Sequence, residues 1–373
     1  MPVIRMVDLK RQYENIREEI DQAVLEVIAS TEFINGSAVK QFQAELEAYQ
    51  NIEHVIPCAN GTDALQIAMM ALGLKPGDEV IVPAFTYVAT AEVIALLGLH
   101  PVMVDVDPDT FNVTPELVEA AITARTKAIV PVHLFGQSAD MEPILQLAEQ
   151  HGLFVIEDNA QAIGADYTFS NGVRKKTGSM GHIGCTSFFP SKNLGCYGDG
   201  GALMTPDGEL AARLRMVANH GQSRQYYHSV VGVNSRLDSI QAAILRVKLR
   251  RLDQYNAARR KAADYYDAAF AGMPQLKMPA RLPSSSHVFH QYTLRLEAGD
   301  RDALRQYLSE RGIPAMIYYP VPLYEQEAFK QYWKGGSLPV TEQLCASVIS
   351  LPMHSELSPD IQDAIIEGVK SFF

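Results

Sequence analysis

A lysine in an apolar segment is the first candidate for chemistry in this sequence. Residues 188–195 read Phe-Phe-Pro-Ser-Lys-Asn-Leu-Gly, and Lys192 is the only charged residue among them. Lysine is ordinarily a solvated surface residue. Burial here would lower the pKa of the Lys192 amine, as an amine that forms an imine with a carbonyl group requires. The segment therefore predicts covalent chemistry at Lys192.

A pair of acids ends an apolar run earlier in the chain. The run Leu153-Phe-Val-Ile leads directly into Glu157 and Asp158. A carboxylate at the carboxyl end of a strand can lie beneath a bound heterocycle and keep its ring nitrogen protonated. The alternative for Asp158 is a helix cap, because Asp often caps a helix that follows a strand.

Glycine and hydroxyl residues form a candidate anion site. Residues 58–65, Cys-Ala-Asn-Gly-Thr-Asp-Ala-Leu, end a strand and begin a helix. Gly61 would let the backbone approach an anion closely, and the helix start offers free N–H groups beside the Thr62 hydroxyl. Ser187, which lies shortly before Lys192, could direct its hydroxyl at the same anion. The alternative is a plain helix cap at Asn60 or Thr62.

Several other kinds of site lack their sequence motifs. The chain has no P-loop motif, no strand-linked GxGxxG, no HExxH and no Cys/His cluster with metal-ligand spacing, so no metal site is expected. The glycines within 178–184 have the wrong spacing for a dinucleotide fingerprint, and we interpret this segment as a flexible turn. The four cysteines show no regular spacing, which fits a reducing compartment.

Charge and hydropathy exclude further partners. The net charge of −11 disfavours sequence-independent nucleic-acid binding, because phosphates need cationic partners. We interpret the basic cluster from Arg246 to Arg260 as the solvated face of a helix. No apolar run approaches the roughly 20 residues needed to span a bilayer, and the N-terminus is charged too early for a signal peptide. We expect a cytoplasmic metabolic protein that binds neither nucleic acid nor membrane.

Apolar runs that alternate with helical patterns must position these residues. Strands are predicted at 79–83, 102–106, 128–132 and 153–156, and helices near 13–29, 38–49, 86–97, 115–124 and 140–151. Continuous apolar strands separated by helices indicate a mostly parallel sheet covered on both faces. In such a sheet the ligand lies beyond the carboxyl ends of the strands.

The pattern changes in the last third of the chain. Residues 236–270 read as one long charged helix, followed by a strand at 291–296, a helix at 302–311, an apolar run at 348–352 and a final helix. We therefore predict an α/β protein with a large domain over residues 1–250, including an N-terminal helical segment. A smaller α+β domain is predicted over residues 251–373.

Several motifs in a fixed order resemble one enzyme family. They occupy residues 6–10, 59–65, 83–90, 157–161, 187–192, 232–238, 320–323 and 350–354. Ala-Asn-Gly-Thr-Asp-Ala-Leu, Glu-Asp-Asn-Ala-Gln and Ser-Phe-Phe-Pro-Ser-Lys are among them. Together they resemble the DegT/StrS family of sugar-nucleotide aminotransferases nearly end to end. The resemblance implies the aspartate-aminotransferase-like fold (fold type I) and the cofactor pyridoxal 5′-phosphate (PLP).

The same resemblance implies a role for each matching residue. Lys192 would form the Schiff base with PLP, and Asp158 would pair with the pyridinium nitrogen. Gln161 would contact the 3-oxygen side of the ring. Tyr87 would stack on the ring, or alternatively pack in the core. The phosphate would be bound by Gly61, Thr62, Ser187 and, from the partner subunit of a homodimer, Asn234.

Within the family, the closest resemblance is to the WbpE type, carried by residues 58–66, 188–192 and 194–202. That type acts on UDP-2-acetamido-2-deoxy-3-oxo-glucuronate in surface polysaccharide (lipopolysaccharide O-antigen) biosynthesis. The resemblance implies glutamate as amino donor and places Arg236, Tyr318 and Tyr319 at the substrate. Where that type has His-Tyr-Pro, this chain has Tyr318-Tyr319-Pro320. The alternative for Arg236 is that it starts the long helix and pairs with Asp238 or solvent.

Other functions fit parts of the sequence. A PLP-dependent sugar dehydratase resembles this chain but has histidine at the position of Lys192. A non-catalytic sugar-nucleotide-binding regulatory protein could keep the same fold, since fold does not fix function. Another 3-keto or 4-keto deoxysugar nucleotide could replace the uronate as substrate. A nicotinamide oxidoreductase fits the αβ alternation but requires a glycine motif that is absent.

Overall fold

A seven-stranded sheet forms the centre of the molecule, which the computed structural model describes over residues 3–373. Met1 and Pro2 of the predicted large domain lie outside the described residues. The strands of this part are β1 (His54–Cys58), β2 (Glu79–Pro83), β3 (His100–Val104), β4 (Thr126–Ile129), β5 (Phe154–Asp158), β6 (Asp166–Thr168), β7 (Arg174–Lys176), β8 (Ile183–Ser187) and β9 (Gly201–Thr205). The sheet order is β1-β9-β8-β5-β4-β2-β3, and only β9 runs antiparallel to its neighbours. Strands β6 and β7 form a separate hairpin.

Helices cover both faces of the sheet. They are α1 (Leu9–Asn15), α2 (Arg17–Ser30), α3 (Ser37–Gln50), α4 (Gly61–Ala71), α5 (Ala89–Leu96), α6 (Pro115–Glu119), α7 (Met141–His151), α8 (Gly208–Ala218) and α9 (Ser239–Leu249). Consecutive residues of a strand point to opposite faces. Accordingly, Val80 and Val82 pack in one core cluster with residues of α4 and α5, whereas Ile81 packs in another with residues of α7. This arrangement confirms the predicted α/β class and mostly parallel sheet.

A second, smaller sheet lies in the C-terminal part of the chain. A short exposed hairpin, β10 (Gln222–Arg224) with β11 (Tyr227–His228), precedes it. The remaining elements are α10 (Leu252–Phe270), β12 (Leu276–Lys277), β13 (Tyr292–Leu296), α11 (Arg301–Glu310), α12 (Pro339–Ser347), β14 (Val348–Leu351) and α13 (Pro359–Lys370). Strands β12, β13 and β14 form an antiparallel sheet. Side chains from α10, α11 and α13 pack with it in a core cluster of their own. The domain boundary at residue 250 stays a prediction.

The prediction of one long helix over 236–270 is wrong. Residues 236–238 precede the first turn, since Ile34 pairs with Asp238 in a short antiparallel bridge. Helix α9 then ends at Leu249 and α10 begins at Leu252. At the junction, Arg251 has φ −113° and ψ 0°, which departs from the φ of about −63° and ψ of about −42° of a regular α-helix. The predicted first helix is likewise interrupted between α1 and α2, at the buried Ile16.

The interpretation of the basic cluster as a solvated helix face is also wrong for two of its members. Lys248 and Arg259 are only 1% and 3% exposed. The Lys248 amine donates to the Gly195 carbonyl. The Arg259 guanidinium donates to three backbone carbonyls, among them that of Phe289 at 3.0 Å. Both cations therefore fix loops near the proposed site instead of facing solvent.

Candidate active site

A cavity of about 820 Å³ lies where several strands of the large sheet end. Its wall includes residues at or just beyond the carboxyl ends of β1, β2, β4, β5 and β8. The structure brings together most of the predicted site residues there, namely Gly61, Thr62, Tyr87, Asp158, Gln161, Ser187, Lys192, Tyr318 and Tyr319. The volume falls in the usual range of small-molecule sites, about 300–1,000 Å³.

Lys192 reaches this cavity from a rigid turn after β8. Its backbone N–H donates to the Phe189 carbonyl at 2.9 Å. The next residue, Asn193, is anchored on Asn256 Oδ1 at 2.7 Å and on the Val288 carbonyl at 3.0 Å. Burial lowers the pKa of the Lys192 amine to about 8, although the negative charge of Asp158 opposes the shift. A sizeable share of this amine is therefore neutral near physiological pH.

Asp158 ends β5 with its carboxylate held from two sides. Its Oδ2 accepts the Thr90 hydroxyl at 2.8 Å, and its Oδ1 accepts the Ala160 N–H at 3.1 Å. Residues 160–164 form a turn and not a helix, so the helix-cap alternative for Asp158 is wrong. The carboxylate lines the same cavity as Lys192.

The start of α4 forms an anion cradle opposite Ser187. Asn60 caps the helix, since its Oδ1 accepts the Asp63 N–H at 2.8 Å. A Cβ atom added at Gly61 would lie 2.7 Å from the Ser187 Cβ, so only glycine fits there without a shift. The free N–H groups of the first turn, with the hydroxyls of Thr62 and Ser187, can bind a phosphate. The cap and the cradle thus coexist in one motif.

An exposed aromatic ring and an oriented amide complete the wall. Tyr87 is 57% exposed, so the alternative of core packing is wrong. Its ring centroid lies 6.4 Å from that of Tyr319. The Gln161 amide is fixed at both ends, because its Oε1 accepts the Phe135 N–H at 2.7 Å and its Nε2 donates to the Tyr319 hydroxyl at 3.2 Å.

Comparison with known proteins identifies the family of this chain. A model of the DegT/DnrJ/EryC1/StrS aminotransferase family matches residues 14–370. The chain belongs to this aminotransferase family.

Relatives of this aminotransferase match it over nearly its whole length. It is 48% identical to a pleiotropic regulatory protein of Geobacillus stearothermophilus, over 99% of this chain and 98% of the relative. It is 46% identical to UDP-2-acetamido-2-deoxy-3-oxo-D-glucuronate aminotransferase of Pseudomonas aeruginosa, over 95% and 96%. It is 47% identical to UDP-N-acetyl-3-dehydro-alpha-D-glucosamine 3-aminotransferase of Acidithiobacillus ferrooxidans, over 95% and 94%.

Solved structures of family members have the same fold. DesV of S. venezuelae, crystallised in complex with a ketimine intermediate, superposes with a TM-score of 0.95 at 42% identity, over 100% of this chain and 99% of that chain. NtdA of Bacillus subtilis with bound cofactor PMP superposes with a TM-score of 0.89 at 32% identity, over 99% and 83%. The predicted family, fold type, aminotransferase activity and PLP cofactor are confirmed.

The cavity of this aminotransferase also fits PLP on its own geometry. The anion cradle at Gly61 suits the phosphate, and the Lys192 amine with its lowered pKa suits the aldehyde. The carboxylate of Asp158 is available to a ring nitrogen, and the exposed face of Tyr87 is available to the ring. Among residues 3–373, no group of three or more His, Cys, Asp or Glu side chains could hold a metal ion. No helix in the same range is long and apolar enough to cross a membrane.

Two predicted site residues do not line the cavity of their own chain. Asn234 is exposed on the segment that leads into α9, and Arg236 is half-buried two positions later. The alternative that Arg236 starts this helix is wrong, because α9 begins at Ser239. No salt bridge joins Arg236 to Asp238 within the described part of the chain.

Sequence reasoning missed two residues at the site. Thr90 is the last residue of the motif at 83–90, and membership of that motif was the only sequence feature that could have indicated its role. His290 lines the cavity, and burial, with the nearby charges of Lys192 and Arg259, holds the pKa of its imidazole well below the ordinary value. Its imidazole is therefore neutral, and no local pattern around position 290 indicated its place.

Proposed function

We propose that this aminotransferase moves the amino group of glutamate onto a nucleotide-linked keto sugar, UDP-2-acetamido-2-deoxy-3-oxo-glucuronate, in surface polysaccharide biosynthesis. The observation that carries amino transfer is that Lys192, Asp158 and the anion cradle meet in one cavity. The identity of the proposed sugar is taken from the Pseudomonas aeruginosa relative, which is named for that substrate and is 46% identical to this chain.

Different residues of the cavity have different roles in the proposed amino transfer. When bound, PLP supplies the electron sink for amino-group transfer. Lys192 takes the proton from the α-carbon of glutamate as general base and, as general acid, delivers it to the cofactor carbon that would carry the amino group. With the keto sugar, Lys192 moves the proton in the opposite direction. Its pKa of about 8 allows both states near neutral pH. Asp158 keeps a negative charge beside the ring nitrogen, and the cradle at Gly61 and Ser187 holds the phosphate.

The charges around the cavity support a homodimer with shared sites. Among the described residues that line the cavity, Lys192 is the only lysine or arginine, whereas Asp63, Asp158 and Asp199 are acidic. A phosphate and the carboxylates of glutamate need further cations. Arg236 of the partner subunit would supply one, beside Asn234 of the partner subunit at the phosphate.

The surface next to these two residues supports the same arrangement. Phe33 and Ile34 are 46% and 47% exposed. They lie beside the segment that carries Asn234 and Arg236, because the Ser239 N–H donates to the Phe33 carbonyl at 3.0 Å. Contiguous exposed apolar side chains mark protein–protein contacts. A second copy of the chain would cover them.

Arg236 and Tyr318 bear on whether the sugar carries a carboxylate. The guanidinium of Arg236 could bind a uronate carboxylate in a bidentate manner, which a CH₂OH group cannot match. Tyr318, which stands where the uronate-specific type has histidine, adds a neutral hydroxyl instead of a cation. The Acidithiobacillus relative, at 47% identity, is named for an uncharged sugar. A 3-keto-N-acetylglucosamine nucleotide is therefore the second candidate.

A single-turnover experiment separates the candidates. Enzyme converted to the pyridoxamine form by glutamate would be offered 3-keto and 4-keto sugar nucleotides while the cofactor spectrum is followed. We expect the wild-type enzyme to react fastest with the uronate. The Arg236→Ala variant should lose most of the preference for the uronate over its uncharged 6-hydroxy analogue. Equal wild-type rates on both sugars would discard the uronate but leave sugar transamination standing.

The first half of that experiment tests catalysis itself. The Geobacillus relative is named as a regulatory protein, yet this chain keeps its lysine, acid and anion cradle together. Glutamate alone should therefore convert the cofactor and release one 2-oxoglutarate per site. A loaded protein that releases none would favour a binding role.

A further inference from the structure

A buried carboxylate lies directly behind the proposed ring-facing acid. Glu157 is fully buried and has four donors. One oxygen accepts the N–H groups of Met180 and Gly181, at 2.6 Å each. The other accepts the Gly178 N–H at 2.7 Å and contacts His133 Nε2 at 2.8 Å. Burial alone would raise the pKa of Glu157, but the hydrogen bond from His133 and those from the backbone lower it below the ordinary value. The carboxylate is therefore ionised and fully paired.

The ring of His133 has a defined tautomer. His133 is itself fully buried, and its Nδ1 accepts the Ala139 N–H at 3.1 Å. The ring proton therefore lies on Nε2 and is donated to Glu157. The backbone N–H of His133 also donates to the carbonyl of Asp158 at 3.0 Å. Loop 133–139 is thus tied to the carboxyl end of β5 by both the backbone and the side chain.

The same strand and loop hold the two polar groups proposed to face the cofactor ring: Asp158 ends β5, and Gln161 lies in the turn that follows and is bonded by the loop. Consecutive strand residues point to opposite faces, so Glu157 points away from the cavity while Asp158 points into it. On the loop, the Phe135 N–H fixes the Gln161 amide at 2.7 Å. A shift of the loop relative to β5 would therefore move both Asp158 and Gln161.

We propose that the Glu157–His133 pair is a positioning device that keeps Asp158 and Gln161 aligned with the cofactor ring. Neither member of the pair lines the cavity, so both act through their neighbours. The proposal rests on the ring-facing roles proposed for Asp158 and Gln161. A displacement of about 1 Å in a catalytic group can cost on the order of 100-fold in rate, so such a support has kinetic consequences.

The test compares Glu157→Gln, His133→Phe and His133→Gln with the matched control Glu79→Gln. Glu79 is also a buried carboxylate, but it begins β2 at the opposite end of the sheet and accepts from Thr123 and Arg125. For each PLP-loaded variant, the pH midpoint of the cofactor's visible absorption is measured without substrate. Then kcat and KM are measured for glutamate.

The expected pattern is specific to positioning. Glu157→Gln and His133→Phe should shift the absorption midpoint and lower kcat by about 10- to 100-fold, with little change in KM. His133→Gln retains a donor near the Nε2 position and should recover part of the loss. Glu79→Gln should lower thermal stability but leave midpoint and kcat unchanged. Should Glu157→Gln fail to fold, the two His133 variants carry the comparison.

The variant Asp158→Ala distinguishes failure of the positioning role from failure of the proposed role of Asp158, on which it rests. If Asp158→Ala turns over normally, the ring-facing role of Asp158 fails. If Asp158→Ala is inactive while folded Glu157→Gln and His133→Phe keep the wild-type midpoint and kcat, the positioning role is overturned and the function stands.

Discussion

The hydroxyl of Thr90 donates to Oδ2 of Asp158 at 2.8 Å and joins the first turn of α5 to the end of β5 beneath the cavity. Thr90 is fully buried, so no water can replace this bond. The second carboxylate oxygen is held by the backbone at Ala160. The acid is therefore oriented before any ligand enters.

Removing this hydroxyl should impair catalysis as well as stability. A hydrogen bond to a charged group contributes about 1.5–3 kcal/mol to stability. Because misplacing a catalytic group can cost on the order of 100-fold in rate, Thr90→Val should also lower kcat by roughly tenfold or more. Thr90→Ser keeps the hydroxyl and serves as the control. The measurement is kcat for the glutamate half-reaction. Equal rates for the Val and Ser variants would show that Thr90 does not orient Asp158.

Gly61 is predicted to be irreplaceable for cofactor binding. In Gly61→Ala the new Cβ would lie 2.7 Å from the Ser187 Cβ and push the cradle open. We expect PLP affinity to fall by at least about tenfold, or about 1.4 kcal/mol. Gly208→Ala is a matched control, since Gly208 also begins a helix and its added Cβ would meet only His54 Nε2 at 3.4 Å. Both are tested by PLP titration of apoprotein, and unchanged affinity in Gly61→Ala would contradict the phosphate site.

The pKa of Lys192 predicts a pH dependence for cofactor attachment. Burial lowers it to about 8, so the amine is protonated below that pH and neutral above it. Only the neutral amine attacks an aldehyde. The rate at which apoprotein forms the visible PLP band should therefore rise through a midpoint near 8. A midpoint near 10.4, the ordinary lysine value, would mean that Lys192 is not desolvated.

Shared active sites predict complementation between inactive chains. Lys192→Ala lacks the reactive amine, and Asn234→Ala lacks the group proposed to reach the partner's phosphate. In a mixed dimer one site would have both defects and the other neither, so mixing the two proteins should restore partial activity. Absence of recovery in verified heterodimers, with both parents inactive, would argue that each chain has a complete site.

Strands β2 to β5 were predictable from the sequence because each is a short apolar run between helical patterns. The strand predicted at 79–83 is β2 with the same bounds, since it is a continuous apolar run ending at proline. Other bounds shifted by one to three residues: β3 begins at His100, and β4 ends at Ile129 where residue 132 was predicted. The break between α9 and α10 was not predictable, because Arg250 and Arg251 are good helix formers. Their ion pairs at the turn are with Glu19, which is distant in sequence.

Some polar residues of the site were likewise predictable from local sequence, whereas others were not. Lys192, Asp158 and Gly61 stand out because their types are unusual beside apolar strands. The role of residues 178–181 did not stand out. The expected flexible turn gives three backbone N–H groups to Glu157, which lies about twenty residues earlier in the chain. A pairing between backbone groups and a distant side chain leaves no local pattern, and the roles proposed for Asn234 and Arg236 require a second subunit.

The central claim, that Lys192 bonds the cofactor in this cavity, is tested most directly by chemical trapping. The PLP-loaded protein is reduced with borohydride, digested, and its peptides are mapped by mass spectrometry. We predict a stable pyridoxyl group on the peptide containing residues 187–195, attached at Lys192, and none in the Lys192→Ala protein. A pyridoxyl group on Lys248 or any other lysine, with Lys192 unlabelled, would contradict the account.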